Sequence, residues 1–501
     1  YLVRELEKLG LTVEIQEQVA VNKKWRAATN NKNILSRIKG SESGKALLLL
    51  SHYDSNPHSS LGASDAGSGV VVILEGIRSF LKKNTTHKND IIICITDAEE
   101  LGLLGANAFV NHHPWAKDVG LVLNFEARGS GGPSYMLVET NGGNKNLIEA
   151  FQKANTPYPV ASSLMYSVYK MLPNDTDLTV FREDGNIEGF NFAFIGDHFD
   201  YHTAQDSFER MDLNTFQHQA SYLIATLNYF SNADLSNLKA EEDFVYFNFP
   251  YFGMVYYPFS WILPMLVISS LIFLVLVVVG FKKRRLTATG VLKGFVPFIL
   301  ALLVSSLLAI YGWKLLLKLH PTYNDILHGF TYNGYYYIAA FVSLTLAICF
   351  WFYKGFFKKR TAQDLVIAPL FIWLLINVGI AVYLPGAAFF IIPVMIILFI
   401  LAVLLFNEPQ NSVVLFSIAV IPILIIFSPM IKMFPVGLGL KMLVISTVFT
   451  VLIVGLLIPI FQQYKNQQKI SYLFLLIGLM ALISASMYSG YSEDRKQPNS
   501  M

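Results

Sequence analysis

Over roughly the first 240 residues, uninterrupted apolar runs alternate with stretches whose apolar positions recur every three or four residues. "KALLLLSHYD" (45–54), "DIIICITDAEE" (90–100), "VGLVLNFEARG" (119–129) and "NFAFIGDHFD" (191–200) read as strands. "GSGVVVILEGIRSFLKK" (67–83) and "LLGANAFVNHH" (103–113) read as helices between them. A strand that is apolar at successive positions must be covered on both faces. The alternation therefore predicts an α/β domain, a mostly parallel mixed sheet with helices on both faces.

Beyond about residue 258 the pattern changes to long apolar runs, near 260–281, 293–313, 335–353, 365–384, 386–406, 412–430, 443–462 and 471–489. Each is close to the roughly 20 residues that a bilayer core requires, so an all-α polytopic membrane domain of about eight spans is expected. The pair separated only by "YLPGA" (383–387) is read either as two spans or as one hairpin. The expected division is 1–243 for the α/β domain and 244–501 for the membrane domain. "FVYFNFPYFGMVYYPFSW" (244–261) is read as an aromatic belt at headgroup level, because its prolines argue against a core strand.

Composition agrees with two solvents, since 53% of residues are hydrophobic and only 15% charged, against about 25% charged in an average soluble chain. Basic residues cluster after the first, third and seventh runs, at Lys282 to Arg285, at Lys354, Lys358, Lys359 and Arg360, and at Lys465 and Lys469. These loops are expected to be cytoplasmic, which puts the α/β domain outside the cytoplasm. The chain starts at Tyr1 without a methionine and is expected to begin partway through a longer protein; a signal or anchor could precede it, so the absence of one carries no weight. The membrane half ends without a further soluble domain, which favours a bacterial cytoplasmic membrane over an organelle. A net charge of +3 with no basic cluster in the first half excludes nucleic acid as a partner and leaves the oligomeric state open. Cys94 and Cys349 lie in separate apolar runs and are expected as buried thiols. No Asp, Glu, Arg or His falls well inside the runs, which disfavours ion-coupled transport; Asn377 is expected to bond a neighbouring helix.

The chemistry sits at strand ends, where ligands gather in open α/β sheets. "SHYDS", "TDAEE", "NFEARG" and "GDHFDYHTAQD" each deliver histidine or carboxylate to that edge. Oxygen and imidazole donors without thiolate suit catalytic zinc, and the donor count suits two Zn2+ better than one. Glu99 and Glu100 leave their strand in different directions. Their roles must divide, one ligating and the other serving as general base toward the attacking water.

"SHYDS", "GASDAGSGV", "DAEELGLLGA", "NFEARGSGGP" and "YHTAQDS" resemble, in order, the motifs of the co-catalytic zinc aminopeptidase family. That family includes aminopeptidase Y, glutamate carboxypeptidase and the membrane-bound endoplasmic-reticulum and vacuolar metallopeptidases. The resemblance implies that His52, Asp65 and Glu126 bind one zinc and Asp65, Glu100 and His202 the other. It further implies Glu99 as base and Tyr201 as the phenol that steadies the oxyanion. Asp54 matches the carboxylate that orients the His52 imidazole. Glu126 stands where some relatives carry Asp, a departure shared with the membrane-bound branch. Arg128 is a candidate for binding a substrate carboxylate, and "MLPNDTDLTVF" (171–181) for shaping the pocket. The expected activity is peptide hydrolysis, as an aminopeptidase. The alternatives are a silent receptor or scaffold ectodomain, a transporter with an appended peptidase fold, and glutaminyl cyclisation at one zinc. His58, His112, His113 and His198 are expected in structural or exposed roles, His198 being the rival ligand to His202. Asn84 and Asn174 head short glycosylation sequons.

Overall fold

The molecule is a computed structural model that describes every residue except 58, 84–85, 173–174, 407–412, 465, 494 and 498–501, together with the side chain of 413. His58, Asn84, Asn174 and Lys465, all named above, lie outside the described residues. The chain forms two units, Tyr1–Phe259 and Ser260–Gln497.

The first unit holds strands β1 (Val13–Asn22), β2 (Ala27–Ile38), β3 (Ala46–His52), β4 (Ile91–Thr96), β5 (Val119–Ala127), β6 (Gly131–Glu139) and β7 (Glu188–Gly196). Helices α1 (Leu2–Lys8), α2 (Gly69–Lys82), α3 (Leu104–His112), α4 (Lys145–Lys153), α5 (Ser163–Met171), α6 (Asp177–Glu183) and α7 (Leu213–Phe230) accompany them. The seven strands join in one sheet in the order β1-β2-β4-β3-β5-β7-β6. The inner four are mutually parallel, and antiparallel β2 and β6 flank them.

Why the inner strands are apolar throughout is visible in their packing. Leu47, Leu49, Ile91, Ile93, Leu121 and Leu123 face a core shared with Ile77 of α2, Phe151 of α4 and Tyr222 of α7. The alternate residues Leu48, Leu50, Ile92, Cys94 and Val122 face Phe109 of α3 and Phe181 of α6. Every position of β3 is buried, and each leucine so covered stabilises the fold by about 1.5–3 kcal/mol. With four parallel strands covered on both sides, their carboxyl ends form one exposed edge for chemistry.

The segment expected as an aromatic belt behaves differently. It forms an antiparallel hairpin, β8 (Phe244–Phe249) and β9 (Gly253–Pro258). Phe244 and Tyr246 are buried in the first unit's core, and Asn144 pins the Phe244 backbone N–H at 2.7 Å. The prolines do not prevent this, because Pro250 falls in the turn and Pro258 at the strand end, where a missing N–H breaks no ladder bond.

The second unit contains α8 (Ile262–Lys282), α9 (Ala288–Leu319), α10 (Gly334–Phe357), α11 (Ala362–Tyr383), α12 (Ile391–Phe406), α13 (Val413–Leu438), α14 (Leu443–Leu456), α15 (Ile458–Phe461) and α16 (Gln467–Met487). Among the described residues seven helices are long and apolar enough to cross a membrane. The 443–462 run folds instead as a shorter apolar helix, continued by α15. α11 and α12 are separate helices joined by the tight turn Pro385–Phe390. Three prolines interrupt α13; Pro435 has no N–H for the Ile431 carbonyl, and the Ser446 hydroxyl of α14 donates to that carbonyl at 2.6 Å. Among the described residues Asn377 bonds no neighbouring helix: its amide donates to the Trp373 carbonyl one turn back at 2.8 Å. Both cysteines are free and buried.

Candidate metal centre

Five of the expected ligands arrive at the sheet edge on five different segments. His52 is the last residue of β3, Glu126 the penultimate residue of β5, and Glu99 and Glu100 occupy the turn after β4. His202 lies in the loop after β7. Asp65 sits in the irregular turn Ala63–Ser68 that enters α2, where its φ/ψ of −107° and 96° leave helical geometry. Ala98 and His202 adopt left-handed φ values of 58° and 56°, a conformation that costs a non-glycine residue about 1–2 kcal/mol. The turns therefore aim their side chains at the expense of local preference.

The two Asp65 oxygens face opposite partners. Oδ1 lies 3.3 Å from His52 Nε2, which also approaches Glu126 Oε2 at 3.5 Å. Oδ2 lies 3.2 Å from His202 Nε2, which approaches Glu100 Oε1 at 2.9 Å. His52, Asp65 and Glu126 thus form one triplet, and Asp65, Glu100 and His202 a second, each with its donor atoms within 4.8 Å of one another. Three carboxylates and two imidazoles crowded together carry a surplus of lone pairs and negative charge, the donor chemistry that zinc takes.

Polar contacts behind the candidate ligands fix them. His52 Nδ1 bonds the Asp54 backbone carbonyl at 2.9 Å, leaving Nε2 to face the centre. The Asp54 carboxylate is 3.4 Å from the same nitrogen, and it accepts the backbone N–H groups of Glu99 and Glu100, each at 3.1 Å. Its main grip is thus on the acidic turn as well as on the imidazole. Asp54→Ala should therefore weaken zinc binding by about 10–100-fold, read by chelator competition.

Several contributors were not singled out from the sequence. Asp206 accepts the N–H groups of Ser64 at 2.7 Å and Asp65 at 3.1 Å. Asn56 contacts Glu100 Oε2 at 3.2 Å and His202 Nδ1 at 3.1 Å. The Ser51 hydroxyl reaches the Phe125 carbonyl at 3.0 Å and the Ala66 carbonyl at 3.3 Å, next to Glu126 and Asp65. Asp206 lies within the "YHTAQDS" motif and Ser51 within "SHYDS", so the motifs contained them; their polar residue types alone did not mark them out.

Tyr201 stacks on His202 with ring centroids 3.7 Å apart, and the Arg128 guanidinium lies 6.0 Å from the Tyr201 ring. His112 is exposed, and His113 is held by Glu14 at 3.0 Å, stacked on Phe109. His198 is buried and belongs to neither triplet.

Electrostatics follow from crowding. Burial opposes charge on His52, but Glu126, Asp54 and Asp65 outweigh it and hold the imidazole well above its usual range. His202 is likewise raised, to about 9, by Asp65 and Glu100 against burial. Burial alone would raise the Asp65 carboxyl, yet hydrogen bonds from His202 and His52 keep it well below its ordinary value. Burial pushes Glu99 well up, and raises Glu100.

The sheet edge thus presents paired imidazole–carboxylate triplets, on a chain whose other half holds long apolar helices. Residues 33–227 match the sequence model of Peptidase family M28. A vacuolar membrane protease of Candida dubliniensis is 29% identical over 335 residues, covering 64% of this chain and 34% of that protein. Endoplasmic reticulum metallopeptidase 1 of Rattus norvegicus is 30% identical over 215 residues, covering 42% of this chain and 24% of that protein. The chain thus spans about a third or less of the length of these curated relatives. Among solved structures, a Porphyromonas gingivalis glutaminyl cyclase superposes with a TM-score of 0.36 and 22% identity, covering 45% of this chain and 87% of that one.

Proposed function

We propose that the chain is a membrane-anchored aminopeptidase that hydrolyses peptide bonds at a two-zinc centre. The observation that carries this reading is the division of the Asp65 carboxylate, each oxygen facing a different histidine and a different glutamate. His52, Asp65 and Glu126 would hold one ion, and Asp65, Glu100 and His202 the other. When bound, zinc supplies Lewis acidity toward a carbonyl and acidifies water.

The remaining work belongs to the chain. Glu99 takes a proton from the attacking water and returns it to the leaving amine. The Tyr201 phenol donates to the oxyanion, a preorganised contact of the oxyanion-hole kind. The Asp54 carboxylate keeps the turn carrying Glu99 and Glu100 in register, and Arg128, beside Tyr201, meets a substrate carboxylate.

The peptidase unit is proposed to face away from the cytoplasm. The basic loops at Lys282 to Arg285 and Lys358 to Arg360, with Lys469, support a common cytoplasmic side. Four crossings between Arg360 and Lys469 keep them there, so α14 with α15 would cross as well.

Metal analysis of the full chain in detergent, combined with a screen of aminoacyl and peptide substrates, tests the reading. It expects close to two zinc ions per chain and release of amino-terminal residues that stops on chelation and returns with zinc. One ion per chain with cyclisation of amino-terminal glutamine, or no hydrolysis of any peptide, overturns it.

A further inference from the structure

One fully buried carboxyl has no part in the reaction just described. Asp177, the first residue of α6, is wholly inaccessible to solvent. Its Oδ2 is hydrogen-bonded with Thr96 Oγ1, and its Oδ1 has no hydrogen-bond partner among the described residues. Thr96 is the last residue of β4 and pairs directly with His52 across the parallel ladder. The same Thr96 hydroxyl lies 3.2 Å from the Ser51 backbone carbonyl.

A hydroxyl has one proton, and here it has two oxygen neighbours. The Ser51 carbonyl can only accept. If Thr96 gave its proton to Asp177 instead, a carboxylate would sit in the core with a single hydrogen bond and its second oxygen bare. Among the described residues no lysine or arginine forms an ion pair with it. The titratable groups that act on it or feel it are His52 on β3, Glu126 on β5, Asp54 and Glu99 in the turns beyond, and Cys94 on β4. Three of these are carboxyl groups. An anion so placed is costly. A protonated acid supplies the proton that the Thr96 hydroxyl lacks and removes the charge.

We propose that Asp177 is held as a neutral carboxylic acid and acts as a positioning residue. Its proton goes to Thr96 Oγ1 and the Thr96 proton to the Ser51 carbonyl, strapping α6 to the strand ends that carry His52 and lead to Glu99. Burial, opposed in part by His52 and Thr96, raises this carboxyl to about 7, in the same direction. The strap meets Ser51, whose own hydroxyl lies 3.0 Å from the Phe125 carbonyl, beside Glu126, and 3.3 Å from the Ala66 carbonyl, beside Asp65. A ligand-bearing strand end is thereby fixed from behind by uncharged bonds, which add no negative charge to an acidic centre. The consequence for zinc rests on the two-zinc reading; the protonation state does not.

The test uses the purified full chain, metal-free and zinc-loaded, near neutral pH. Infrared spectra should contain a carboxylic-acid carbonyl band that Asp177→Asn removes and Thr96→Val moves to the position of a more weakly bonded acid. By chelator competition, Asp177→Asn, whose amide can donate to Thr96 in the same way, should bind zinc within about threefold of the parent, and so should Thr96→Ser. Thr96→Val should bind about tenfold more weakly. Identical carbonyl bands in the parent and Asp177→Asn would overturn the proposal. So would Thr96→Val that binds zinc as tightly as Thr96→Ser, a comparison that survives if Asp177→Asn does not fold. A parent chain that binds no zinc would defeat the metallopeptidase reading, while the infrared result would still decide the state of Asp177.

Discussion

Glu99→Gln should keep its full complement of zinc and lose turnover by about 10²–10⁴-fold, the range expected when a general base is removed. The two triplets able to hold a metal are His52–Asp65–Glu126 and Asp65–Glu100–His202, and neither includes Glu99. The substitution keeps the volume of the side chain and the backbone N–H that Asp54 holds, so the acidic turn should stay in place. What disappears is an oxygen able to take a proton. The loss should fall on kcat, with KM little changed. Burial raises the Glu99 carboxyl above its ordinary range. The acid limb of the pH profile, where protonation silences the base, should therefore vanish in the variant. Hydrolysis near the parent rate in zinc-replete Glu99→Gln would show that the base lies elsewhere.

Asp65→Ala should have the largest effect on the metals, because it removes a donor from both triplets at once. Each triplet would be left with one imidazole and one carboxylate, too few for zinc, which in catalytic sites takes three protein ligands. Zinc content should fall below about one ion per chain, and hydrolysis by on the order of 10³-fold or more. The fold should persist in thermal unfolding, since Asp65 sits at the sheet edge and is absent from both apolar clusters. Loss of His52 or His202 removes a donor from one triplet only. If Asp65→Ala keeps both ions while His52→Ala or His202→Ala loses them, Asp65 is not the bridge.

The α/β architecture was legible because its cause is local and repeated. Strands buried on both faces must be apolar at every position, and β3 and β4 are. Part of the site was legible for a related reason, since acids and histidines placed where strands end stand out against the apolar runs; Asp65, in the turn entering α2, and the division into ligand sets came only from the family resemblance. The hairpin at 244–258 was not legible, because its aromatic residues suit a headgroup layer and a protein core equally well. Only the packing of Phe244 and Tyr246 against the first unit decides between them. Asn377 shows the same limit at one residue, since an amide in an apolar helix must find a carbonyl and the chain alone does not say whose. The shortness of α14 and the bond from Ser446 to the carbonyl left free by Pro435 likewise depend on two helices meeting.

By itself the order of residues determined the two solvents, the layered α/β plan, and which acids and imidazoles gather at one edge, because hydrophobic period and residue type act over a few neighbouring positions. The tertiary structure decided how those groups are held. Asp54 grips the acidic turn, Asp206 the backbone at Asp65, and Thr96 lies between Asp177 and Ser51. These contacts join segments tens of residues apart, and a hydrogen bond requires its two atoms within about 3 Å. No pattern along the chain encodes that distance until the sheet has brought the segments together.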